Sequence, residues 1–148
     1  MNTVEINTKT GSFEPPPTLF DFLAHYSIYR EWWPEDQAFH IEHSTSENPE
    51  LHFRVGILRF VGKQTSAVLP HTIIWEFKQD NFRGIWQWQL HSGDNGSEIC
   101  LDISGKITGP VPVALSLVVP YERRIITASR SIFQAMKTQL ASRRRTSI

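Results

Sequence analysis

Three side chains in this 148-residue sequence could move a proton or hold an oxyanion beside an apolar surface. His71 follows Pro70 at the start of an apolar segment. It titrates near neutrality, which suits a general acid or base, although a histidine at a rim does no chemistry. Arg54 interrupts the alternating stretch Leu51 to Ile57. Turned inward, it would have to hold an acid or an oxyanion, because an unpaired buried cation is costly. Turned outward, as alternation places it, it is an ordinary surface residue. Glu76 and Asp102 alternate outward in the same way, which counts against a carboxylate-based active site. Tyr121 follows Pro120, where a long C-terminal helix is expected to bend. A phenol there could meet the polar end of a ligand or serve as a catalytic group.

The aromatic pattern is more extensive. Ile73, Trp75 and Phe77 share one strand face, and Phe82, Gly84, Trp86, Trp88 and Leu90 share another. Phe53 sits on the apolar side of the Leu51 to Ile57 stretch. Trp33, in Trp32-Trp33-Pro34, either gates a pocket or staples a short helix to the sheet. The predicted ligand-binding set is Trp33, Phe53, Trp75, Phe77, Trp86, Trp88 and Tyr121. These rings either line a pocket, through burial and stacking, or fill a core. No metal site is predicted: His40 and His43, three apart on a strand, face opposite ways. No Gly-rich phosphate loop, Ser-centred elbow or Cys-His pair is present, so no cofactor is expected. Cys100 alternates onto the polar side of its strand.

These residues must be positioned by strands and one long helix. Thr3 to Lys9 alternate weakly as a first strand. Pro15-Pro16-Pro17 predicts an extended segment, and Thr18 a helix N-cap ahead of Leu19, Phe20, Phe22 and Leu23. A second short helix carries Tyr26, Tyr29 and Trp32-Trp33 and stops at Pro34. From Phe39 the period becomes two, through segments at Phe39–His43, Leu51–Ile57, Ile73–Phe77, Phe82–Leu90 and Ile99–Ile103. Asp94-Asn95-Gly96 is a turn, since Asn and Gly tolerate positive φ. Gly109-Pro110 is expected to close the sheet. From about Val113 to Ala141, Leu115, Val118, Val119, Ile125, Ile126, Ile132, Phe133, Met136 and Leu140 form one apolar stripe. The order is strand, two short helices, about six strands and one long helix, joined by short turns that favour an antiparallel meander.

Composition narrows the function classes. Fifteen basic and fifteen acidic residues give zero net charge, which offers nothing to nucleic acid or an anionic membrane. The one cysteine makes no internal disulfide. The polar N-terminus predicts no secretory leader, and no apolar run approaches the roughly 18 residues of a membrane span. The expectation is a cytoplasmic protein without stable membrane insertion. It forms a single domain over 1–148, with 143–148 a flexible basic tail. Exposed sheet edges leave monomer and homodimer both open.

Leu19-Phe20-Asp21-Phe22-Leu23 leading to Tyr29-Arg30-Glu31-Trp32-Trp33-Pro34 resembles the opening helices of the START/Bet v 1-like superfamily (SRPBCC), the polyketide cyclase/dehydrase and lipid transport group. Gly84-Ile85-Trp86-Gln87-Trp88 and Ser97-Glu98-Ile99 resemble its late hairpin strands, and Ala135 to Leu140 its closing helix. The resemblance covers nearly the whole chain. It implies an α+β helix-grip fold: a curved antiparallel sheet of about six to seven strands, two short helices near the N-terminus, and one long C-terminal helix over a cavity. It implies a hydrophobic small-molecule partner, lipid- or polyketide-like. The alternatives are a metal-free cyclase or dehydratase using the same cavity, with His71, Arg54 and Tyr121 as its candidate catalytic groups, or an interaction module with a filled core.

Overall fold

A computed structural model describes residues 3–25, 29–34, 39–42, 50–55, 58–69, 71–80, 82–107 and 121–146, with backbone alone described at 39–42, 55, 58, 79–80, 121–122 and 144–146. The first strand, β1 (Thr3–Ser12), buries Val4 and Ile6 and exposes Thr3, Glu5, Asn7 and Lys9. Two short helices follow, α1 (Pro16–Ala24) and α2 (Tyr29–Trp32). Then come β2 (Phe39–Glu42), β3 (Glu50–Val55), β4 (Leu58–Val68), β5 (Thr72–Asp80), β6 (Phe82–Gly93) and β7 (Gly96–Ile107). The last element is α3 (Tyr121–Thr146). The strands form one antiparallel sheet in the order β1-β7-β6-β5-β4-β3-β2. Apart from the pairing of β1 with β7, every neighbour is a sequence neighbour. This is the expected α+β helix-grip arrangement.

Period-two burial makes the strands. Trp75 and Phe77 on β5, Phe82, Trp86, Trp88 and Leu90 on β6, and Ile99, Leu101 and Ile103 on β7 all fall on the buried face. Directly opposed residues share a face, so the pairs Trp75↔Trp86, Trp88↔Leu101 and Trp86↔Ile103 carry this apolar surface across three strands. The β6–β7 hairpin turns on Asp94-Asn95, with Gly96 at φ 142°.

Strand β4 is an element that period two did not disclose. Its ladder with β5 shifts register twice, between Val61 and Gly62 and between Gln64 and Ser66. At the second shift Thr65 is the extra residue. It breaks the alternation that a sequence reading relies on and bends the strand. The N-terminal end of α1 also differs from expectation. The helix is entered from Pro15, which is extended (φ −71°, ψ 155°), with Pro16 and Pro17 inside the first turn. The Thr18 and Leu19 amides donate to the Pro15 carbonyl at 3.1 and 3.2 Å. Thr18 is therefore a first-turn residue and not the N-cap. Proline suits the first turn because its φ is helical and its missing N–H would find no partner there in any case.

On α3 the buried stripe is Ile125, Ala128, Ser129, Ile132, Phe133, Met136 and Leu140. That is helical spacing over about 24 Å of helix. Ala128 and Ser129 add small residues to the large ones that the pattern singled out, and Ile126 is half-buried. The Ser129 hydroxyl donates to the Ile125 carbonyl at 2.8 Å, so a polar group on the buried stripe is satisfied within its own helix. The helix continues through Thr146. Arg143, expected in a tail, lies on it with its guanidinium 4.9 Å from the centre of the Phe22 ring. The expected apolar residues at 115, 118 and 119, the bend at Pro120 and the sheet closure at Gly109-Pro110 lie outside the described residues.

Candidate functional site

Six of the seven predicted ligand-binding residues come together as one aromatic cluster on the buried face of the sheet. Phe53 on β3 is its hub, with ring centres 5.2 Å from Trp33, 5.2 Å from Trp86, 5.5 Å from Phe77 and 6.0 Å from Trp75. Trp75 and Trp86, opposed on β5 and β6, stack at 5.8 Å with 22° between planes. Trp88 meets both edge-on and touches Phe133 of α3 at 6.2 Å. The side chain of the seventh residue, Tyr121, lies outside the described set.

Three residues not included in that set complete the cluster. Phe60 of the unforeseen strand β4 stacks on Phe53 at 4.9 Å with 6° between planes, and Phe82 packs on Phe60 at 4.9 Å. Tyr29 of α2 lies 5.3 Å from Trp75 and 4.8 Å from Trp32. The signal for Tyr29 was its place beside Trp32-Trp33. Phe60 gave none, because its strand was not visible.

The cluster is closed. Trp75, Trp86 and Trp88 are 0 % exposed. A void that admitted water would leave exposed surface on the rings lining it, so these three pack at the density of a protein interior. Several grooves lie on the outside. One of about 230 Å³ runs between Phe13 at the end of β1 and Lys137 and Leu140 of α3. Another of about 500 Å³ lies between Trp32 and Pro34 near α2 and Gln134 and Thr138 of α3. Neither is lined by Trp75, Trp86 or Trp88.

The polar groups inside are mostly donors. The Trp75 indole N–H donates to Gln64 Oε1 at 3.1 Å. The Tyr29 hydroxyl donates to the Leu23 carbonyl, one of the last carbonyls of α1 and so without an intrahelical partner. Burial pushes the Tyr29 phenol well above its usual 10.0, and the neighbouring Trp88 indole acts against the rise. The indole nitrogens of Trp86 and Trp32 are buried and have no hydrogen-bond partner among the described residues. A buried donor left unpaired costs about 1–3 kcal/mol.

The candidate chemical groups lie elsewhere. Arg54 and His71 are exposed. His71 sits in the β4–β5 turn, its amide donating to the Val68 carbonyl at 3.0 Å and its carbonyl accepting from Leu90 at 2.8 Å. The structure brings neither to the aromatic cluster. Cys100, on the opposite face of β7 beside Glu98 and Asp102, has its thiol pushed up, by partial burial first and then by those carboxylates. That disfavours the reactive thiolate. Among the described residues no three His, Cys, Asp or Glu side chains gather as a metal site would require. No described helix is long and apolar enough to cross a membrane.

A sheet gripping a long C-terminal helix, with its aromatic face turned inward, defines the helix-grip class of START/Bet v 1-like folds. Among solved structures the chain is similar to a START superfamily protein from Mycobacterium smegmatis (12 % identity, 96 % of this chain and 99 % of that one, TM-score 0.67). It is also similar to a protein from Thermus thermophilus (11 % identity, 95 % and 97 % covered, TM-score 0.70). A third likeness is to the di-domain ARO/CYC StfQ of the steffimycin biosynthetic pathway (12 % identity, 96 % of this chain, 52 % of that one, TM-score 0.64). At these identities the likeness is one of fold. No family model matches the sequence, and no curated protein matches it.

Proposed function

We propose that the protein binds a hydrophobic small molecule between the sheet and α3, against the cluster of Trp33, Phe53, Trp75, Phe77, Trp86 and Trp88. The observation that carries this reading is the convergence of these large rings, from three strands and the segment after α2, under the one long helix. The fold shared with a START superfamily protein and an ARO/CYC protein supports it. Because the rings are closed on one another, the ligand enters by parting the wall formed by Trp33 and α2 from the sheet. A cyclase or dehydratase using the same space is the less supported form of this reading, since Arg54 and His71 face away.

One observation favours a filled core instead: the 0 % exposure of Trp75, Trp86 and Trp88. Two measurements separate the readings. Native mass spectrometry of the purified protein and quenching of tryptophan emission by fluorene, a flat apolar probe, should both report binding. If neither does, and Trp88→Ala loses about 3–5 kcal/mol as a core truncation would, the rings are core and the ligand reading is lost.

A further inference from the structure

The aromatic interior has a surplus of donors. Trp86 is 0 % exposed and Trp32 5 %, and each has a buried indole nitrogen without a partner among the described residues. An indole nitrogen only donates. The side-chain donors that are paired take other oxygens: Gln64 Oε1 accepts the Trp75 N–H, and the Leu23 carbonyl accepts the Tyr29 hydroxyl. Gln64 adds two amide N–H donors of its own. The rings of the cluster carry no charge that could balance a buried anion. From this we infer that the interior selects neutral, flat apolar molecules carrying a carbonyl-type acceptor (ketones, quinones or esters), the carbonyl oxygen accepting from the Trp86 indole N–H. This rests on the ligand reading above and adds to it the polarity and charge of the ligand.

The recognition follows from geometry and from the cost of the unpaired state. The Trp86 N–H lies in the plane of a ring stacked on Trp75. A flat ligand whose edge meets that donor keeps its own faces free for aromatic neighbours, and Trp33 and Phe53 lie 6.2 and 5.2 Å from Trp86 between ring centres. A ligand without an acceptor leaves the donor unmade. An alcohol or amine can accept too, but its own O–H or N–H must then share an oxygen that is already hydrogen-bonded, Gln64 Oε1 or the Leu23 carbonyl.

The test compares three molecules on one ring frame: fluorene, 9-fluorenone and fluorene-9-carboxylate, titrated into the whole protein and read by tryptophan quenching. Fluorenone should bind about tenfold more tightly than fluorene, the discrimination of one net hydrogen bond, and the carboxylate more weakly than either. In ¹⁵N-labelled protein the Trp86 indole N–H resonance, assigned from Trp86→Phe, should move downfield with fluorenone and not with fluorene. Trp86→Phe removes the donor and keeps a ring, so it should level the two affinities. Should that variant fail to fold, the wild-type preference and the indole resonance still decide. Equal binding of fluorene and fluorenone, with a still Trp86 resonance, overturns the donor proposal and leaves the ligand reading standing. Binding of none of the three removes both. Tight binding of the carboxylate overturns the neutral class and points to a cation such as Arg124, whose Nε is buried without a partner among the described residues.

Discussion

Tyr29 joins three parts of the molecule through one ring and one hydroxyl. The ring lies against Trp32, Trp33 and Trp75, and the hydroxyl caps the Leu23 carbonyl at the end of α1. Tyr29→Phe keeps the ring and strands a buried carbonyl, so it should cost about 1–3 kcal/mol in urea denaturation at pH 7. The pH dependence has a definite sign. Burial holds the native phenol well above its usual 10.0, while the unfolded chain titrates near 10. Below that pH both states keep the proton and the contribution to stability is flat. Above it the unfolded state loses its proton first, so stability falls as pH rises. Denaturation midpoints followed from pH 8 to 11 should drop in the wild type and drop less in Tyr29→Phe. Parallel slopes would mean that the phenol is not shielded as the structure has it.

At the scale of the element, the β6–β7 hairpin packs closely against the end of β1. Gly96 has φ 142°, and a Cβ there would run into the Ser12 carbonyl where β1 ends. Gly93, across the turn, would meet nothing closer than 3.8 Å. Gly96→Ala should therefore cost about 1–3 kcal/mol through strain and displacement of β1, and Gly93→Ala about 0.5 kcal/mol or less. Thermal denaturation of the pair checks this, and equal losses would contradict it. This hairpin was readable because Asp-Asn-Gly carries its turn chemistry in its residue types. Strands β5, β6 and β7 were readable because one face of each is apolar. Strand β4 was not: after Phe60 its buried-side residues are Gly62 and Gln64, and Thr65 shifts the period. The entry to α1 misled for another reason. Three prolines fix φ, and whether each extends or starts a helix depends on ψ, which packing decides. At the site, the large rings could be named from alternation alone. Phe60 stayed hidden with its strand, and the unpaired Trp86 donor belongs to the packed arrangement and to no local pattern.

At the scale of the whole molecule, all five tryptophans of the chain lie at 6 % exposure or less, and the described interior is closed around them. On the proposed function, a protein closed in this way must open before it binds. The native state then behaves as a closed form in equilibrium with a minor open form, and the apparent affinity is reduced by the open fraction. The kinetic consequence is specific. In stopped-flow mixing with excess 9-fluorenone, the rate of tryptophan quenching should rise with probe concentration and then level off at the opening rate. The slope at low concentration should fall below the usual range of about 10⁵–10⁷ M⁻¹s⁻¹. Trp33→Ala thins the wall that must part without touching the Trp86 donor. It should raise the limiting rate while preserving the preference for fluorenone over fluorene. The bound state should be more resistant to heat, by the mass-action term of about 2.7 kcal/mol at a hundredfold excess over Kd. A rate that stays linear in probe concentration to the solubility limit would mean that the chamber stands open in solution. The closed packing of Trp33 on Phe53 and Trp86 would then not be the gate.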